Sequence, residues 1–545
     1  MIFGPLHKQQ FLVRGLAPAV LTAGLMLSGA LSAQTFTVNS TGDDAVAGLD
    51  GVCATGNLIG GLPECTLRAA LQEANHAGPA PVNIHFDIAG CPNGLCVISI
   101  DTQVGRSLPL ITTPVVLDGS TQPGNANVCQ ADVFERSAYR IVLQGNGAEE
   151  GAEEVHGLHL ASGSNGSVIR GLNIRHFAHG VALVGSNDNR IECNAIGTDS
   201  SGMVPGPGNR GGGVLLACDS SGNVIGGSQP AQANLISANG IDGVMIFGGF
   251  ICGEEPEDNM PINNAVLGNR IGTAADGVSP LGNAWAGIAI FGGPGADHNL
   301  IGVLQDRVTI RGNVIGFNGT AGLFIDSDGL QPKPTENTLV QGNYFGTDPS
   351  GQLDLGNQLG GIDIIRGALT TIGGSGAGQA NVFAFNDDGI FMERMVSDRN
   401  RIQRNAIYAN KRRGILLQDG HEFDPPGTGP NRLQPAPTMS STFKEGSIVS
   451  ITYSVPDQVD NFPLVIEFFV ADGEREQGRL FLIANGYPAA GDRTLTFSSS
   501  RIESGQFLVA TATDSLGNTS EFSAVSRVLA AGPIDEDLIF KDGFE

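Results

Sequence analysis

The strongest constraint on this chain is a repeated tripeptide in which an asparagine is followed, two residues later, by an apolar residue. A second repeat, a glycine followed by a short apolar strand, alternates with it. The glycines are separated by as few as 25 residues (Gly389 to Gly414) and as many as 44 (Gly243 to Gly287). The tripeptides begin at Asn189, Asn194, Asn223, Asn234, Asn269, Asn299, Asn313, Asn343, Asn381 and Asn405. The marker glycines are Gly180, Gly213, Gly243, Gly287, Gly322, Gly361, Gly389 and Gly414.

Repeats of this length predict a stacked solenoid, because a single repeat cannot bury its apolar face alone. We expect each repeat to form one coil of a right-handed parallel β-helix, with isoleucine over isoleucine in a narrow core. The asparagines are expected to stack at the bends, where their side chains tolerate the left-handed conformation and bond to backbone. The predicted class is all-β: a β-helix with an N-terminal helical cap and a C-terminal β-sandwich. A glycine-rich disordered chain is the alternative, but it would not keep these residues in phase.

Residues 1–33 have the pattern of an export signal. Lys8 and Arg14 precede an apolar run from Leu16 to Leu31, and small residues follow it. A single membrane anchor is the alternative, although the run is short for a span and interrupted by glycine. We therefore expect a protein that is secreted or held at the outer cell surface, with no membrane span once the signal is removed.

The 8 cysteines all follow this signal. An even number in an exported chain indicates disulfides. We expect the two nearby pairs, Cys53 with Cys65 and Cys91 with Cys96. The remaining four could pair between neighbouring coils, and the sequence leaves their partners open: Cys129, Cys193, Cys218 and Cys252. Their spacing does not fit a zinc site.

The segment after the signal has a helical pattern. Cys65-Thr-Leu-Arg-Ala-Ala70 begins a stretch whose apolar positions 67, 70, 71 and 74 lie on one helical face. This run resembles the CSLREA domain, with two of the six letters changed. The resemblance implies an exported bacterial β-helix protein, and we expect residues 34–107 to cap the open end of its first coil. Calcium is a candidate ligand for the acidic loop of Asp43, Asp44 and Asp50, although solvated turn acids are the simpler interpretation.

Beyond the solenoid, assigned to residues 108–423, the pattern changes. Residues 424–437 are rich in proline and predict a linker. Alternating strands then predict a sandwich over residues 438–529, which resembles immunoglobulin-like and fibronectin-like modules. Such modules space, cap or bind. Residues 530–545 form a tail that resembles short sorting tags of exported proteins; a frayed end is the alternative.

The charge of the chain restricts its partners. It carries 30 basic and 55 acidic side chains, a net charge of −25. This balance argues against nucleic acid and against anionic membrane surfaces. A polyanionic substrate would need a local basic patch or a bound cation. The sequence does not predict the oligomeric state.

Candidate catalytic residues come from the strand after each marker glycine. If its first residue points inward, its second and fourth point outward. These outward columns are apolar in the first four coils, which would leave an exposed apolar surface. The next three coils place Asp326, Asp363 and Glu393 there. With coils about 4.8 Å apart and two residues spanning about 6.6 Å, Asp326 and Asp363 would lie roughly 8 Å apart, within the range of an inverting carboxylate pair.

Aromatic and basic residues accompany these carboxylates. Phe324 and Phe391 could stack on sugar faces, and Arg366 and Arg394 could bind substrate at the edge of the cleft. An acidic, solvated outer sheet is the alternative interpretation. Two histidine pairs, His156 with His159 and His176 with His179, could approach one another on stacked coils. Exposed turn histidines are the simpler interpretation, and we assign no metal site.

Two functions remain open. The architecture resembles that of proteins that cleave or epimerise acidic polysaccharides, which implies an enzyme of hydrolase or lyase type acting on an extracellular polysaccharide or cell-surface glycan. The other is a non-catalytic, adhesin-like or structural surface protein, favoured by the apolar outward columns, because contiguous apolar surface marks a partner or a covering segment.

Overall fold

A computed structural model describes most of the chain after the signal. The described residues are 33–101, 107–147, 155–248, 261–292, 300–302, 312–327, 334–420, 424–425, 427–456 and 462–530. Residues 1–32 of the predicted signal, residues 531–545 of the predicted tail, Asn299 and Cys252 lie outside them. No helix within the described residues is long and apolar enough to cross a bilayer.

Three long parallel sheets make up the walls of the solenoid in the described residues. The first sheet contains Thr35–Val38, Val82–Phe86, Val115–Asp118, Val168–Arg170, Arg190–Glu192, Val224–Gly226, Ala265–Leu267, Leu300–Gly302, Leu339–Gln341, Thr371–Gly373 and Arg401–Gln403. The second contains Cys96–Ser99, Ile141–Gln144, Leu172–Arg175, Ala195–Ile196, Leu235–Ile236, Arg270–Ile271, Val314–Ile315, Tyr344–Phe345, Val382–Ala384 and Ala406–Tyr408. The third contains Leu158–Leu160, Val181–Val184, Val214–Ala217, Val244–Phe247, Ile288–Phe291, Leu323–Asp326, Ile362–Ile364, Ile390–Met392 and Ile415–Leu417. The predicted parallel β-helix is confirmed.

Stacked aliphatic side chains fill the core between these sheets. In the second sheet, Ile196, Ile236, Ile271 and Ile315 pair in register from coil to coil, and each is fully buried. Phe345 and Phe383 continue this column with parallel rings whose centroids are 4.9 Å apart. The expected stacking of isoleucine over isoleucine is therefore confirmed.

Asparagines stack in three columns along the bends, which we name the first, second and third ladders. Along the second and third, each side-chain amide donates to the side-chain oxygen of the next member at 2.9–3.3 Å. The first ladder consists of Asn189, Asn223 and Asn264. The second consists of Asn194, Asn234, Asn269, Asn313, Asn343, Asn381 and Asn405. The third consists of Asn209, Asn239, Asn283, Asn318, Asn357, Asn386 and Asn410.

The predicted left-handed conformation of these asparagines is wrong. The positive φ belongs to the residue before the ladder asparagine, as at Cys193 (58°), Ala238 (60°) and Phe385 (65°). The asparagine itself directs both its backbone N–H and its side-chain amide to the next coil, as Asn239 does toward Asn283 Oδ1 at 3.1 and 2.9 Å. Left-handed backbone costs roughly 1–2 kcal/mol at a non-glycine residue, and these hydrogen bonds offset it.

The N-terminal segment caps the first coil with helix α1 (Leu67–His76). Thr66 caps the helix by accepting from the Ala69 N–H at 3.0 Å. The predicted apolar face is buried against Phe36 and Val38 of the first sheet. Parallel pairing begins before residue 108, because residues 35–38 and 82–86 already form the first two strands of that sheet. A short hairpin, Leu58–Ile59 with Leu62–Pro63, precedes the helix.

Disulfides pair the cysteines as follows. The structure forms Cys53–Cys65 and Cys91–Cys96, the two pairs expected from the sequence. A third bond, Cys129–Cys193, joins a loop of one coil to a bend of a later one. Cys218 is also disulfide-bonded. Disulfides of this kind are typical of oxidising, extracellular compartments.

The C-terminal residues form the predicted sandwich of two sheets. One sheet contains Thr438–Glu445, Ile448–Ser454, Arg493–Ser498 and Leu529–Ala530. The other contains Leu464–Asp472, Arg475–Tyr487, Phe507–Thr513 and Ser526–Arg527. Tyr453, Phe468 and Tyr487 are fully buried between them.

The sandwich closes the last coil of the solenoid through its side chains. Backbone N–H groups of that coil point away from the stack and would have no strand to pair with. Side-chain oxygens of the sandwich accept them at 2.6–3.0 Å: Asn518 from Arg399, Thr519 from Ile402, Glu467 from Arg404, Asp472 from Ala409, Gln477 from Asn410 and Glu521 from Leu417. Gln477 also accepts from the Asn410 side chain, so it ends the third ladder.

The segment predicted as a linker also lies on this last coil. It contains a short turn, Pro430–Leu433, in which Asn431 is fully buried. The Asn431 side chain donates to the backbone oxygens of Asn400 at 2.8 Å and Thr519 at 2.9 Å. These hydrogen bonds fix the path of the chain at Asn431, between solenoid and sandwich.

We predict that Asn283→Ala destabilises the protein by about 2–4 kcal/mol, since buried hydrogen-bonding groups are left unsatisfied. Asn283 accepts from the Asn239 backbone and side chain and donates to Asn318 and Ile236. The midpoint of denaturant unfolding measures the change. Exposed Asn127→Ala is the control and should leave the midpoint unchanged; equal midpoints for the two variants would contradict a structural role of the ladders.

We also predict that a chain ending at residue 420 self-associates. Its last coil would present the N–H groups that the sandwich accepts in the full chain, and such edges pair with other chains. Light scattering after size-exclusion chromatography compares it with the full chain. A monomeric truncated protein of undiminished thermal stability would show that the sandwich is a tethered module and not a cap.

Candidate active site

The outer face of the third sheet carries the carboxylates singled out in the sequence. Residues 323–325 pair with residues 362–364, and these with residues 390–392. Asp363 therefore stands between Phe324 and Phe391 in one column. Asp326 stands two residues further along its own strand, in register with Phe291. The separation of roughly 8 Å between Asp326 and Asp363 was estimated from this alignment.

Asp326 is bound by an arginine of the next coil. Arg366 Nε donates to Asp326 Oδ1 at 2.8 Å and Nη2 donates to Oδ2 at 3.0 Å. The same guanidinium donates to the Ser327 backbone oxygen at 2.8 Å. Burial raises the pKa of Asp326, while Arg366 opposes that rise. Both predicted residues thus form a bidentate pair that neutralises the carboxylate, and the arginine also binds the backbone of Ser327.

Asp363 lies in a different environment. The residue is only 7% exposed, and its Oδ1 has no hydrogen bond of good geometry. Burial raises the pKa of Asp363 to about 7, helped by the charges of Asp388 and Asp387 and opposed by the Gly360 N–H. A Cβ at position 360 would collide with Asp363 Oδ1, so the carboxyl group occupies space that this glycine leaves open. Asp363 can therefore hold a proton near neutral pH.

Sequence reasoning missed the two acids beside Asp363. Asp387 and Asp388 immediately precede the marker Gly389, and both lie within 3.5 Å of Arg412 Nη1. The Asp387 side chain is 29% exposed and the Asp388 side chain 6%. Asp388 Oδ1 also accepts the Arg413 N–H at 2.9 Å. The sequence signal that could have identified them is the polar residue Asp388 directly before the marker Gly389. The predicted outward positions lie after each marker glycine and therefore did not include it.

Aromatic rings form a group next to this site. The single tryptophan of the chain, Trp285, stacks on Phe291 with centroids 5.7 Å apart and lies 4.8 Å from the Phe324 ring. Phe247 and Phe291 lie 6.0 Å apart. We name Phe247, Trp285, Phe291 and Phe324 the aromatic group; all four rings are half-buried. Sequence reasoning included Phe324 but not Trp285, which lies two residues before the marker Gly287.

The remaining predicted site residues lie at the edge of the face. Phe391 and Glu393 are half-buried, and the Glu393 N–H donates to the Ile364 oxygen at 2.8 Å. Arg394 has a positive φ of 69° and lies 3.4 Å from Asp424. Arg394 also lowers the pKa of Asp326 through its charge. The structure thus brings Arg394 toward Asp326 and fixes it partly through Asp424.

The apolar outward columns of the earlier coils are not an exposed surface, contrary to the expectation. Ala182 and Ala289 are fully buried, and Leu215 is 8% exposed. Ala182, Leu215 and Ala217 pack together in one cluster, with Met245 and Phe247 against it. The sequence pattern identified which residues face outward, but it could not show that they pack against one another.

Histidines 156, 159 and 179 come together, as the stacking of their coils suggested. The His156 ring centroid lies 5.0 Å from that of His159 and 5.3 Å from that of His179. Burial, together with the neighbouring histidines, lowers the pKa of His156 to about 3. His179 Nδ1 accepts the Gly212 N–H at 2.9 Å. That bond places the His179 proton on Nε2, so this nitrogen has no lone pair for a metal.

The aspartates proposed to bind calcium accept hydrogen bonds from other residues of the N-terminal cap. Arg68 binds Asp43 through two nitrogens at 3.0 and 2.7 Å. Asp44 accepts from the Asn57 side chain at 3.0 Å, and Asp50 accepts from the Val52 N–H at 3.0 Å. Among the described residues, no group of three or more histidine, cysteine, aspartate or glutamate side chains has a geometry that could hold a metal ion.

Asp242 provides an internal comparison for Asp363. It is fully buried one position before the marker Gly243, and burial raises its pKa to about 7. Its Oδ1 accepts the Ala286 N–H at 3.0 Å, while Oδ2 has no partner. The two carboxyl groups therefore share burial and pKa, but Asp242 has no access to the outer face.

We predict that Asp363→Asn and Asp242→Asn each reduce the loss in free energy of unfolding that the parent protein shows as pH rises. The folded pKa of about 7 exceeds the usual 3.8, so the bound proton stabilises the folded chain at low pH, and this contribution is lost as pH rises through 7. At pH 8 each variant should be more stable than the parent by about 1–3 kcal/mol, with no difference at pH 4. Denaturant unfolding at several pH values provides the measurement; parallel curves would contradict the raised pKa values.

Comparisons with known proteins give only distant structural similarity. No family model and no curated protein matches the chain. The catalytic domain of a GH87 α-1,3-glucanase variant in complex with nigerose has a TM-score of 0.32 and 14% identity, covering 67% of this chain and 60% of that chain. An alginate lyase from Paenibacillus sp. str. FPU-7 has a TM-score of 0.22 and 14% identity, covering 63% of this chain and 87% of that one. The chain thus spans 60% of the glucanase domain, and likeness at these scores assigns no activity to it.

Proposed function

We propose that this protein is an exported polysaccharide hydrolase whose active site lies on the outer face of the third sheet. The observation that carries the proposal is Asp363, a carboxyl group with a pKa of about 7 in the same column as two phenyl rings. A proton donor for glycosidic oxygen needs such a raised pKa. The disulfides, which are typical of extracellular proteins, support export.

The aromatic group supplies the surface for the sugar chain. Its rings lie 4.8–6.0 Å from one another along successive coils. Half-buried rings offer flat apolar area at little entropic cost, and the C–H faces of pyranose rings pack on such area. Phe324 belongs to this group and also pairs in register with Asp363. The glycan would therefore run along the solenoid axis and reach the carboxyl group at one end of the aromatic group.

The proposed chemistry is inversion at the anomeric carbon. Asp363 donates its proton to the glycosidic oxygen as the bond between that oxygen and the anomeric carbon breaks. A water molecule attacks from the opposite face and loses its proton to a carboxylate base, for which Asp387 and Asp388 are the candidates. Their negative charges also help to raise the pKa of Asp363. The candidate bases therefore help to keep the acid protonated. The products are two shorter chains, one with a new reducing end.

The other predicted residues take positioning roles in this proposal. Asp326 and Arg366 hold each other at 2.8 and 3.0 Å, which makes Asp326 a weaker candidate for proton transfer than Asp363. Glu393 stays a candidate carboxylate at the edge of the cleft, beside Phe391. Arg394 could contact substrate from the same edge. A non-catalytic, adhesin-like protein would use the aromatic group for binding and none of these carboxylates for turnover.

We predict that Asp363→Asn lowers turnover about 100- to 10,000-fold, the range for loss of a general acid, without loss of binding. Purified full chain is first tested against neutral and uronate polysaccharides, with new reducing ends and unsaturated products measured separately. Asp242→Asn is the matched control, because it removes an equally buried carboxyl group away from the face. Unchanged turnover in Asp363→Asn would exclude this residue from the mechanism. Binding without turnover by the parent protein across the panel would establish the adhesin-like alternative.

A further inference from the structure

A cavity lies away from the third sheet, at the junction of solenoid and sandwich. Its volume is about 730 Å³, within the range of roughly 300–1,000 Å³ for ligand sites. On the solenoid side it is lined by the second-sheet strands Val382–Ala384 and Ala406–Tyr408 and by the turn 349–351. On the sandwich side it is lined by residues of the strands Leu464–Asp472, Arg475–Tyr487 and Phe507–Thr513. Every lining residue is among those that the structure describes.

The cavity combines apolar walls with a fixed aromatic ring. Val382, Ala406, Val470 and Leu480 line it with carbon atoms. The Tyr408 hydroxyl donates to the Gly351 oxygen at 2.7 Å, which holds the ring in place. Phe507 adds a second, half-buried ring. Such a lining suits a ligand with flat hydrocarbon faces.

Two arginines give the cavity its polar specificity. Arg479 lies over the Tyr408 ring, with its guanidinium carbon 5.4 Å from the ring centroid. A stacked guanidinium is held in one plane while its N–H edge stays available for a planar acid. Arg501 also lines the cavity. Both side chains are exposed, and within the described residues neither has an ion-pair partner.

The nearby acids do not complement these two arginines. Burial raises the pKa of Tyr408, the charge of Arg479 lowers it, and the charges of the nearby Asp348 and Asp472 raise it further. Asp348 already accepts from Ser350, Gln352 and Leu353, and Asp472 accepts the Ala409 N–H at 2.8 Å. Gln506, the remaining polar side chain of the sandwich wall, accepts the Glu503 N–H at 2.7 Å. The guanidinium groups of Arg479 and Arg501, by contrast, have no ion-pair partner within the described residues.

We propose that this cavity binds a uronate residue of an acidic polysaccharide. Its carboxylate would lie between Arg479 and Arg501, since a guanidinium edge matches a carboxylate with two parallel hydrogen bonds. Its pyranose ring would pack on the apolar wall near Tyr408 and Phe507. In a chain of net charge −25, this is a place where an anionic sugar meets unpaired cations. The site lies on the second sheet and is independent of the hydrolase proposed for the third.

Calorimetric titration of the full chain with tri-galacturonate and tri-mannuronate tests this proposal. The Asp363→Asn background is used, so that turnover cannot consume the probe. Arg479→Gln and Arg501→Gln should each weaken binding at least about tenfold, since each removes a charge-assisted hydrogen-bond pair, and the double variant should abolish it. Arg210→Gln removes an exposed arginine several coils away and should bind as the parent does. Maltotriose, which lacks a carboxylate, should bind at least tenfold more weakly.

Four results would overturn the proposal. These are no binding of either uronate trimer, unchanged binding by the double arginine variant, maltotriose binding as tight as that of the uronates, and equal affinity for sodium acetate, which would indicate a bare anion site. The outcome is separable from that of the hydrolase. A catalytic face without a uronate site at the junction leaves turnover intact, and the double arginine variant then binds the uronate trimers as the parent does. A uronate site without catalysis shows no turnover, and the double arginine variant then loses binding.

Discussion

Hydrogen bonds between buried asparagines hold the coils of this solenoid together. Most ladder asparagines give their backbone N–H and their side-chain amide to one oxygen of the next coil, as Asn234 does to Asn269 at 3.0 Å each. These bends would otherwise bury amide groups that a parallel sheet cannot satisfy, and such groups are costly when unpaired. The ladders thereby permit sharp corners around a buried aliphatic core, and they fix which residue of each strand faces outward. Every feature of the outer face depends on that register.

The same requirement shapes the ends of the molecule. A stack of coils leaves unpaired backbone N–H groups on its last coil. A sandwich without suitably placed side-chain oxygens could not accept hydrogen bonds from them. Here the sandwich presents oxygens at the spacing of those groups, with Gln477 taking the place of the next asparagine of the third ladder. The buried Asn431 extends the solenoid pattern into the proline-rich connection. The sandwich is therefore built into the solenoid, and its junction creates a cavity that neither module would contain alone.

Periodicity made the solenoid and its outward columns predictable, since inward aliphatic residues and bend asparagines recur in phase. The third ladder was missed because the residue two positions after its asparagines is not regularly apolar: it is Gly211 after Asn209 and Asp388 after Asn386. The left-handed conformation was assigned to the ladder asparagine, although it belongs to the residue before it. Residue preference favours asparagine in that conformation, but the hydrogen bonds between coils require the asparagine at the following position. Asp363 was identified, but its acid neighbours were not, since they lie before the strand and reach it only across stacked coils.

The position before each marker glycine explains why Asp363 differs from other outward residues. In several coils a side chain there accepts the N–H of the next coil: His179 from Gly212, Asp242 from Ala286 and Asp388 from Arg413. At Gly360 that side chain is missing, and the Asp363 carboxyl group occupies the space. Burial then raises its pKa, a change that disfavours the folded chain at high pH and is tolerable because the ladders on either side are complete. The absence of a side chain at Gly360 thus leaves room for the Asp363 carboxyl group, and burial makes that group suited to proton transfer.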